Sequence, residues 1–232
     1  MYTTLITGAN RGIGLELARQ YAADGWRVLA CCRHPEKADA LNKLAAQHPG
    51  AVQIHALEVT DLAQIDKLAE LLASESIDLL INNAGVYPMA DSKGFGHTDC
   101  NEWMQAFQVN TMAPLKMAEA FVSHVASSKL KIVVTISSKM GSIEDNTGGG
   151  SYLYRSSKAA VNMVIKNLSL DLKRDGITTV VFHPGWVQTE MGGPNALITV
   201  EQSVNGLRQV IGTLTLDDSG KFLSYDGQEI PW

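Results

Sequence analysis

The sequence predicts an α/β protein built on one doubly wound parallel sheet with helices on both faces. Short apolar runs alternate with helical segments along the chain, which is typical of parallel sheets covered by helices. The apolar runs are continuous, as in strands buried on both faces. Clusters of glycine, asparagine or serine follow several of these runs, at the strand ends where such sheets bind ligands.

The first half of the chain alternates strand and helix. The first predicted strand ends at Ile6, and the next three span residues 27–32, 52–57 and 77–81. The helices between them are predicted to end before Gly25 and near Gln47 and Leu72, where the apolar periodicity stops.

The second half begins with a predicted loop over residues 86–99. Residues 102–126 have a mostly helical pattern, and Pro114 is expected to kink this helix near Asn110 because proline lacks a backbone donor. The remaining predicted elements are strands at 132–136, 180–182 and 221–224 and helices at about 152–174 and 200–212. No repeat or linker interrupts the pattern, so we predict one domain over residues 1–232.

Composition argues against several classes of function. The chain has 232 residues and a net charge of −5, which disfavours general binding to nucleic acids or anionic membranes. No signal-like segment follows Met1, and no apolar run reaches membrane-spanning length. Three cysteines, two of them adjacent, suggest reduced thiols and a cytoplasmic location. The six histidines are scattered, so no metal site is expected.

A glycine-rich turn joins the first strand to the first helix. Its glycines are Gly8, Gly12 and Gly14, in the spacing G-x-x-x-G-x-G. Glycines in such a turn let the backbone approach a pyrophosphate at the helix N-terminus. The spacing differs from the G-x-G-x-x-G fingerprint. By itself the turn therefore indicates either a tight strand–helix connection or a cofactor loop.

The end of the second strand indicates the type of cofactor. In dinucleotide-binding folds an acidic residue about 20 residues after the glycines binds the ribose 2′-hydroxyl, whereas an arginine suits a 2′-phosphate. Here the strand ends in Cys31-Cys32-Arg33, and no acid occurs before Glu36. Arg33, helped by Arg11, therefore favours NADP(H). The alternative is that both arginines are solvated surface charges.

Tyr154 and Lys158 lie four residues apart in a predicted helix, so both point from one face. A phenol with a pKa of about 10 is a poor proton donor near neutrality, and a nearby ammonium is expected to lower that pKa. Ser138, after the strand at 132–136, could hydrogen-bond the oxygen that Tyr154 protonates, and Ser137 is its rival. The alternative is an ordinary surface Tyr–Lys pair.

Six motifs in order resemble the short-chain dehydrogenase/reductase family along the whole chain. They are Thr7-Gly8-x-x-x-Gly12-x-Gly14, Asn82-Asn83-Ala84-Gly85, Asn110, Ile136-Ser137-Ser138, Tyr154-x-x-x-Lys158 and Pro184-Gly185. Residues 143–150, residues 183–193 and the Asp226-Gly227-x-x-Ile230-Pro231-Trp232 segment resemble the C-factor and sniffer branch of its carbonyl-reductase-like members. The resemblance implies a Rossmann fold.

The resemblance also implies the catalytic roles. Tyr154 would be the general acid/base, and Lys158 would lower its pKa and hold the nicotinamide ribose. Ser138 would polarise the substrate carbonyl, since the family register favours the second serine over Ser137. Asn110 would steady a water molecule in a proton relay.

The cofactor implied by the resemblance is NADP(H). Glu58 stands where many members have an aspartate that contacts the adenine. The implied cofactor-binding residues are Gly8, Arg11, Gly12, Ile13, Arg33, Glu58, Val59, Asn83, Ala84, Gly85, Tyr154, Lys158, Pro184, Gly185, Val187 and Thr189.

Two hypotheses for function follow. The first is an NADPH-dependent oxidoreductase that reduces aldehyde or ketone carbonyls to alcohols, reversibly. The second is an NADP(H)-binding signalling or regulatory protein of the C-factor type with little turnover. For the first, five residues suggest an apolar substrate pocket, although each could instead belong to the core. They are Tyr87, Met140, Ile143, Trp186 and Met191.

Family members often pair through the helices that correspond to residues 102–126 and 152–174, so a homodimer or homotetramer is expected. By this analogy six apolar residues would form the interface. They are Ala118, Phe121, Val122, Val161, Val164 and Leu168.

Overall fold

The computed structural model describes residues 1–232, and all of its strands join one seven-stranded sheet. The strands are β1 (Thr3–Thr7), β2 (Arg27–Cys32), β3 (Val52–Ala56), β4 (Leu79–Asn82), β5 (Ile132–Ile136), β6 (Thr178–His183) and β7 (Phe222–Ser224). They pair in the order β3-β2-β1-β4-β5-β6-β7, and every pair is parallel. We propose from this that residues 1–232 form one domain.

Seven α-helices cover the sheet. They are α1 (Gly12–Ala23), α2 (Asp39–Gln47), α3 (Leu62–Leu71), α4 (Cys100–Phe107), α5 (Ala113–Ala126), α6 (Tyr152–Asp171) and α7 (Val200–Ile211). None of them combines the length and apolar character that crossing a membrane requires.

The helices lie on both faces of the sheet, and they therefore bury every residue of β1, β4 and β5. On one face α1, α2 and α7 pack through Leu17, Leu41 and Leu207. On the other face α3 and α5 form one apolar cluster, and α6 packs beside them through Val161. The predicted fold class is thereby confirmed.

The strand order places a ligand-binding crevice at the carboxyl edge of the sheet. Chain order runs outward from β1 to β3 on one side, then returns to β4 beside β1 and runs outward to β7 on the other. Where the order reverses, the connections leave β1 and β4 in opposite directions, which opens a crevice at the carboxyl ends of the strands.

Two segments differ from the prediction. The expected kinked helix is two α-helices joined by a π-helical turn, Gln108–Met112, which contains Asn110. Pro114 lies in the first turn of α5 and has no N–H to donate to the Asn110 carbonyl. The expected loop at 86–99 contains a short 3₁₀ helix, Met89–Lys93, with Ala90 and Asp91 buried.

The predicted interface residues were mostly wrong. Ala118, Phe121, Val161 and Leu168 are buried in the core of the single chain, so they offer almost no surface to another subunit. The apolar side chains that α4, α6 and the π-turn leave exposed are different ones. They include Met104, Met112, Met163 and Leu170.

Candidate active site

The carboxyl edge of the sheet gathers the predicted site residues. Gly8, Arg11, Gly12 and Ile13 follow β1, Arg33 follows β2, and Glu58 and Val59 follow β3. Asn83, Ala84 and Gly85 follow β4, Ser138 follows β5, and Pro184, Gly185, Val187 and Thr189 follow β6. Tyr154 and Lys158 enter from α6, and Asn110 enters from the π-turn.

The two serines after β5 have different partners. The hydroxyl of Ser138 lies beside the Tyr154 side chain and accepts a hydrogen bond from the Met140 N–H at 3.2 Å. The hydroxyl of Ser137 is buried and donates to Asn162 Oδ1 at 2.7 Å. Because side chains alternate along an extended chain, only one of these neighbours can face Tyr154, and it is Ser138.

Tyr154 and Lys158 are both buried on the same face of α6, and Nζ of Lys158 lies 5.7 Å from the centre of the tyrosine ring. The ammonium donates to the Ile136 carbonyl at 2.9 Å, which ties α6 to the end of β5. The pair therefore contacts the strand that carries Ser138.

The pKa values of this pair differ from the prediction that the lysine would lower the pKa of the tyrosine. Burial raises the pKa of Tyr154 to about 12, although the nearby Ser138 hydroxyl acts in the opposite direction. Burial also lowers the pKa of Lys158 to about 8. Desolvation disfavours the charged form of each group and is the largest cause of both shifts. Tyr154 is thus protonated near neutrality, which is the form that can donate a proton.

Asn110 joins three parts of the site. Its Oδ1 accepts from the Val86 N–H at 2.9 Å, and its Nδ2 donates to the Val86 carbonyl at 3.0 Å and to the Ser157 hydroxyl at 3.0 Å. The side chain therefore fastens the segment after β4 to α6. The side-chain amide of Asn110 thus has its hydrogen-bond partners within the protein. The Asn110 main-chain carbonyl, in contrast, receives no hydrogen bond from residue 114, because proline has no N–H.

Three contacts around the Ser138 segment were missed by the sequence analysis. A Cβ at Gly141 would lie 2.8 Å from the carbonyl carbon of Lys158, so only glycine lets this turn approach α6 so closely. The main-chain oxygen of Trp232 accepts from the Ile143 N–H at 2.6 Å and the Ser142 hydroxyl at 3.2 Å. These contacts join residues far apart in the chain and have no local sequence signal.

The glycine-rich turn is closely packed and leads directly into the N-terminus of α1. A Cβ at Gly14 would lie 2.3 Å from the Gly8 carbonyl oxygen, so this glycine is needed for the turn itself. Gly12 begins α1, whose first turn carries no acidic residue and has no side-chain cap. Its backbone N–H groups are therefore available to an anion at a helix N-terminus. Thr189, from the segment after β6, lies across from Gly12.

Two exposed arginines lie at this edge, each beside a carboxylate. Arg33 lies 3.9 Å from Glu58, and Arg11 forms an ion pair with Glu190. Exposed pairs of this kind contribute little to stability. Their guanidinium groups are therefore free to exchange a protein carboxylate for a phosphate, which guanidinium binds in the same bidentate geometry.

None of the five residues predicted to form an apolar pocket is buried in the core, and two of them, Tyr87 and Met140, are partly exposed. Ile143, Trp186 and Met191 are exposed, and the ring of Tyr87 lies 4.8 Å from that of Tyr154. No group of three or more histidine, cysteine, aspartate or glutamate residues is placed to hold a metal ion.

Comparisons with known proteins agree with this geometry. A family model described as short chain dehydrogenase matches residues 2–196. C-signal of Myxococcus xanthus is 42% identical over 156 residues, which cover 67% of this chain and 93% of that protein.

Two solved structures superpose on the whole chain. The carbonyl reductase Sniffer of D. melanogaster has a TM-score of 0.92 and 32% identity and is covered over 100% of both chains. The NADPH-bound carbonyl reductase from chicken fatty liver has a TM-score of 0.92 and 36% identity, over 100% of this chain and 99% of that one. The chain therefore belongs to the short-chain dehydrogenase family, in the branch that contains C-factor-like and sniffer-like members.

Proposed function

We propose that this protein is an NADPH-dependent oxidoreductase that reduces the carbonyl of an aldehyde or ketone to an alcohol, reversibly. The observation that carries the proposal is the buried Tyr154 hydroxyl, protonated near neutrality and placed beside the Ser138 hydroxyl at the carboxyl edge of the sheet. A serine hydroxyl and a phenol that converge on one point can bind and protonate a single carbonyl oxygen.

Each residue of the site has a role in this reaction. NADPH, when bound at this edge, would supply the hydride for the carbonyl carbon. Ser138 donates a hydrogen bond to the carbonyl oxygen, and Tyr154 gives that oxygen its proton as negative charge develops on it. The ammonium of Lys158 stabilises the phenolate that remains. The Asn110 main chain holds the water through which the tyrosine recovers its proton.

The same edge of the sheet would hold the cofactor. The first turn of α1, with Gly8, Gly12 and Ile13, would take the pyrophosphate, and Arg11 and Arg33 the 2′-phosphate. The other residues are assigned by their position along the edge. Glu58 and Val59 would contact the adenine, and the ribose side would be lined by Asn83, Ala84, Gly85, Tyr154 and Lys158. The nicotinamide would be lined by Pro184, Gly185, Val187 and Thr189. The three cysteines are free thiols, and we propose a cytoplasmic location, where thiols stay reduced.

Oxidation of NADPH, followed by absorbance with a panel of aldehydes and ketones, tests the proposed activity. The wild-type protein should oxidise NADPH only when a carbonyl compound is present.

The second candidate function is a signalling or regulatory protein that binds NADP(H) and turns over little. The similarity to C-signal is the observation that favours this second function. Tight NADPH binding without oxidation on any carbonyl would select this second function.

Replacing Arg33 with aspartate should shift the cofactor preference from NADPH to NADH. A carboxylate there repels the 2′-phosphate and can bind a 2′-hydroxyl. The ratio of kcat/KM for the two cofactors measures the shift. Arg174→Asp is the matched control, because it changes the charge equally in the turn that follows α6. Equal wild-type affinity for NADPH and NADH would contradict the assignment of Arg33.

We also propose that the protein forms a homodimer or homotetramer through α4, α6 and the π-turn. The exposed apolar side chains there include those of Met104, Met112, Met163 and Leu170, and burial of such groups is the main source of association energy. Light scattering at micromolar concentration should give a dimeric or tetrameric mass. Met163→Glu should reduce that mass, whereas a monomeric mass for the wild type would refute the interface.

A further inference from the structure

The helix that carries the proposed catalytic tyrosine lacks a cap from its own sequence. Ser151 precedes α6, and serine is normally a good N-cap. Here its side chain makes no capping bond, and its φ of 46° lies in the left-handed region. Its hydroxyl instead bonds to the Tyr87 hydroxyl at 2.7 Å. The first N–H groups of α6 therefore need a partner from elsewhere.

Asp91 supplies that partner from 63 residues upstream of Tyr154. Its Oδ1 accepts from the Leu153 N–H at 3.0 Å, and its Oδ2 accepts from the Tyr154 N–H at 2.8 Å. The carboxylate is buried, and only 8% of the residue is exposed. One side chain thus satisfies two donors in the first turn, and one of them belongs to the tyrosine itself.

The segment that carries Asp91 is also tied to α4. Asp91 lies in the short 3₁₀ helix Met89–Lys93. The carboxylate of Glu102, on α4, accepts from the Ala90 N–H at 2.8 Å. The segment that contains Asp91 is therefore hydrogen-bonded to α4. This bond helps Asp91 to hold the start of α6 in a defined position.

We propose that Asp91 is a positioning residue whose carboxylate fixes the first turn of α6 and so holds the Tyr154 hydroxyl against Ser138. The inference rests on the proposed function, because it assigns to Asp91 the placement of the proton donor. Lys158, one turn later, is held separately by the close packing of Gly141. Loss of Asp91 would thus move the tyrosine relative to a lysine and a serine that stay in place.

Two substitutions test the proposal. Asp91→Ala removes both acceptors, and displacement of a catalytic group by about 1 Å can cost roughly 100-fold in rate, so we expect kcat to fall about 10- to 100-fold. Asp91→Asn keeps the shape and one acceptor but turns an NH₂ group toward the second N–H, so it should give a smaller loss. Because Lys158, Arg33 and the first turn of α1 stay in place, the KM for NADPH should change much less than kcat in both variants.

Amide hydrogen exchange supplies a readout that does not depend on activity. In the cofactor-free protein, Asp91→Ala should reduce the protection of the Leu153 and Tyr154 amides by roughly tenfold, the size of a typical helix-cap effect. Asp61→Ala is the matched control. Asp61 caps α3 by accepting from the Gln64 N–H, so its loss should destabilise the protein without changing those amides or kcat at saturating NADPH.

The outcomes separate this inference from the function on which it rests. A wild-type protein that binds NADPH but reduces no carbonyl would overturn the proposed function, and the role of Asp91 in turnover with it. An active wild type whose folded Asp91→Asn and Asp91→Ala variants keep full kcat would overturn only the positioning role. A loss of kcat that Asp61→Ala matches would overturn it as well, because the effect would then come from general destabilisation.

Discussion

Replacing Tyr154 with phenylalanine should reduce carbonyl reduction by about 10²–10⁴-fold, the contribution that general acid–base catalysis typically makes. The variant loses the phenolic proton and keeps the ring. The ring packs against that of Tyr87, and the backbone N–H keeps its bond to Asp91. We therefore expect the fold and the affinity for NADPH to survive, while kcat falls.

Tyr152→Phe is the internal control for this experiment. Tyr152 lies two residues earlier in the same helix but points to solvent, with 47% of its surface exposed against 8% for Tyr154. The control variant should retain nearly the full rate of NADPH oxidation, and circular dichroism and NADPH fluorescence should match the wild type in both variants. A Tyr154→Phe protein with a near wild-type rate would remove the assignment of this residue as proton donor.

Replacing Lys158 with methionine should reduce turnover strongly and also weaken NADPH binding. The ammonium is buried, lies 5.7 Å from the Tyr154 ring centre and is tied to the Ile136 carbonyl. Without it, the developing phenolate has no positive charge beside it, and the cofactor ribose loses a donor. Lys166→Met is the control on the same helix, since Lys166 bonds to the Gly220 carbonyl instead. If NADPH affinity and kcat were unchanged, the dual role of Lys158 would be wrong.

The Lys158→Met variant should also differ from the wild type in how its free energy of unfolding depends on pH. Because burial lowers the pKa of Lys158 from 10.5 to about 8, the folded state releases this proton first as pH rises. Wild-type stability should therefore gain up to about 3 kcal/mol between pH 8 and 10.5 from this group, at about 1.4 kcal/mol for each pKa unit. Below pH 8 the gain is absent. Urea unfolding of wild type and Lys158→Met across this range measures it as the difference between the two curves.

Much of the fold could be predicted from the sequence because its signals are local. Alternating apolar runs and helical segments predicted a doubly wound parallel sheet. All-parallel strands end at one edge, so the residues that follow each strand were expected together there. Arg33 after β2 and Ser138 after β5 lie at that edge in the structure.

The relation between side chains distant in sequence was decided only by the tertiary structure. Ser138 rather than Ser137 meets Tyr154, because the other serine turns to Asn162. The spacing of Tyr154 and Lys158 predicted a lowered pKa for the tyrosine, whereas burial raises it. Burial also lowers the pKa of Lys158.

The sequence by itself determined the fold class, the order of the motifs and the strand ends where the site lies, because helical and strand periodicity and turn residues act over a few positions. Packing between elements determined that Asp91 caps α6. It also determined that Phe121, which was predicted for an interface, lies in the core. Burial and hydrogen-bond partners depend on which surfaces the folded chain brings together, and no local pattern specifies those surfaces.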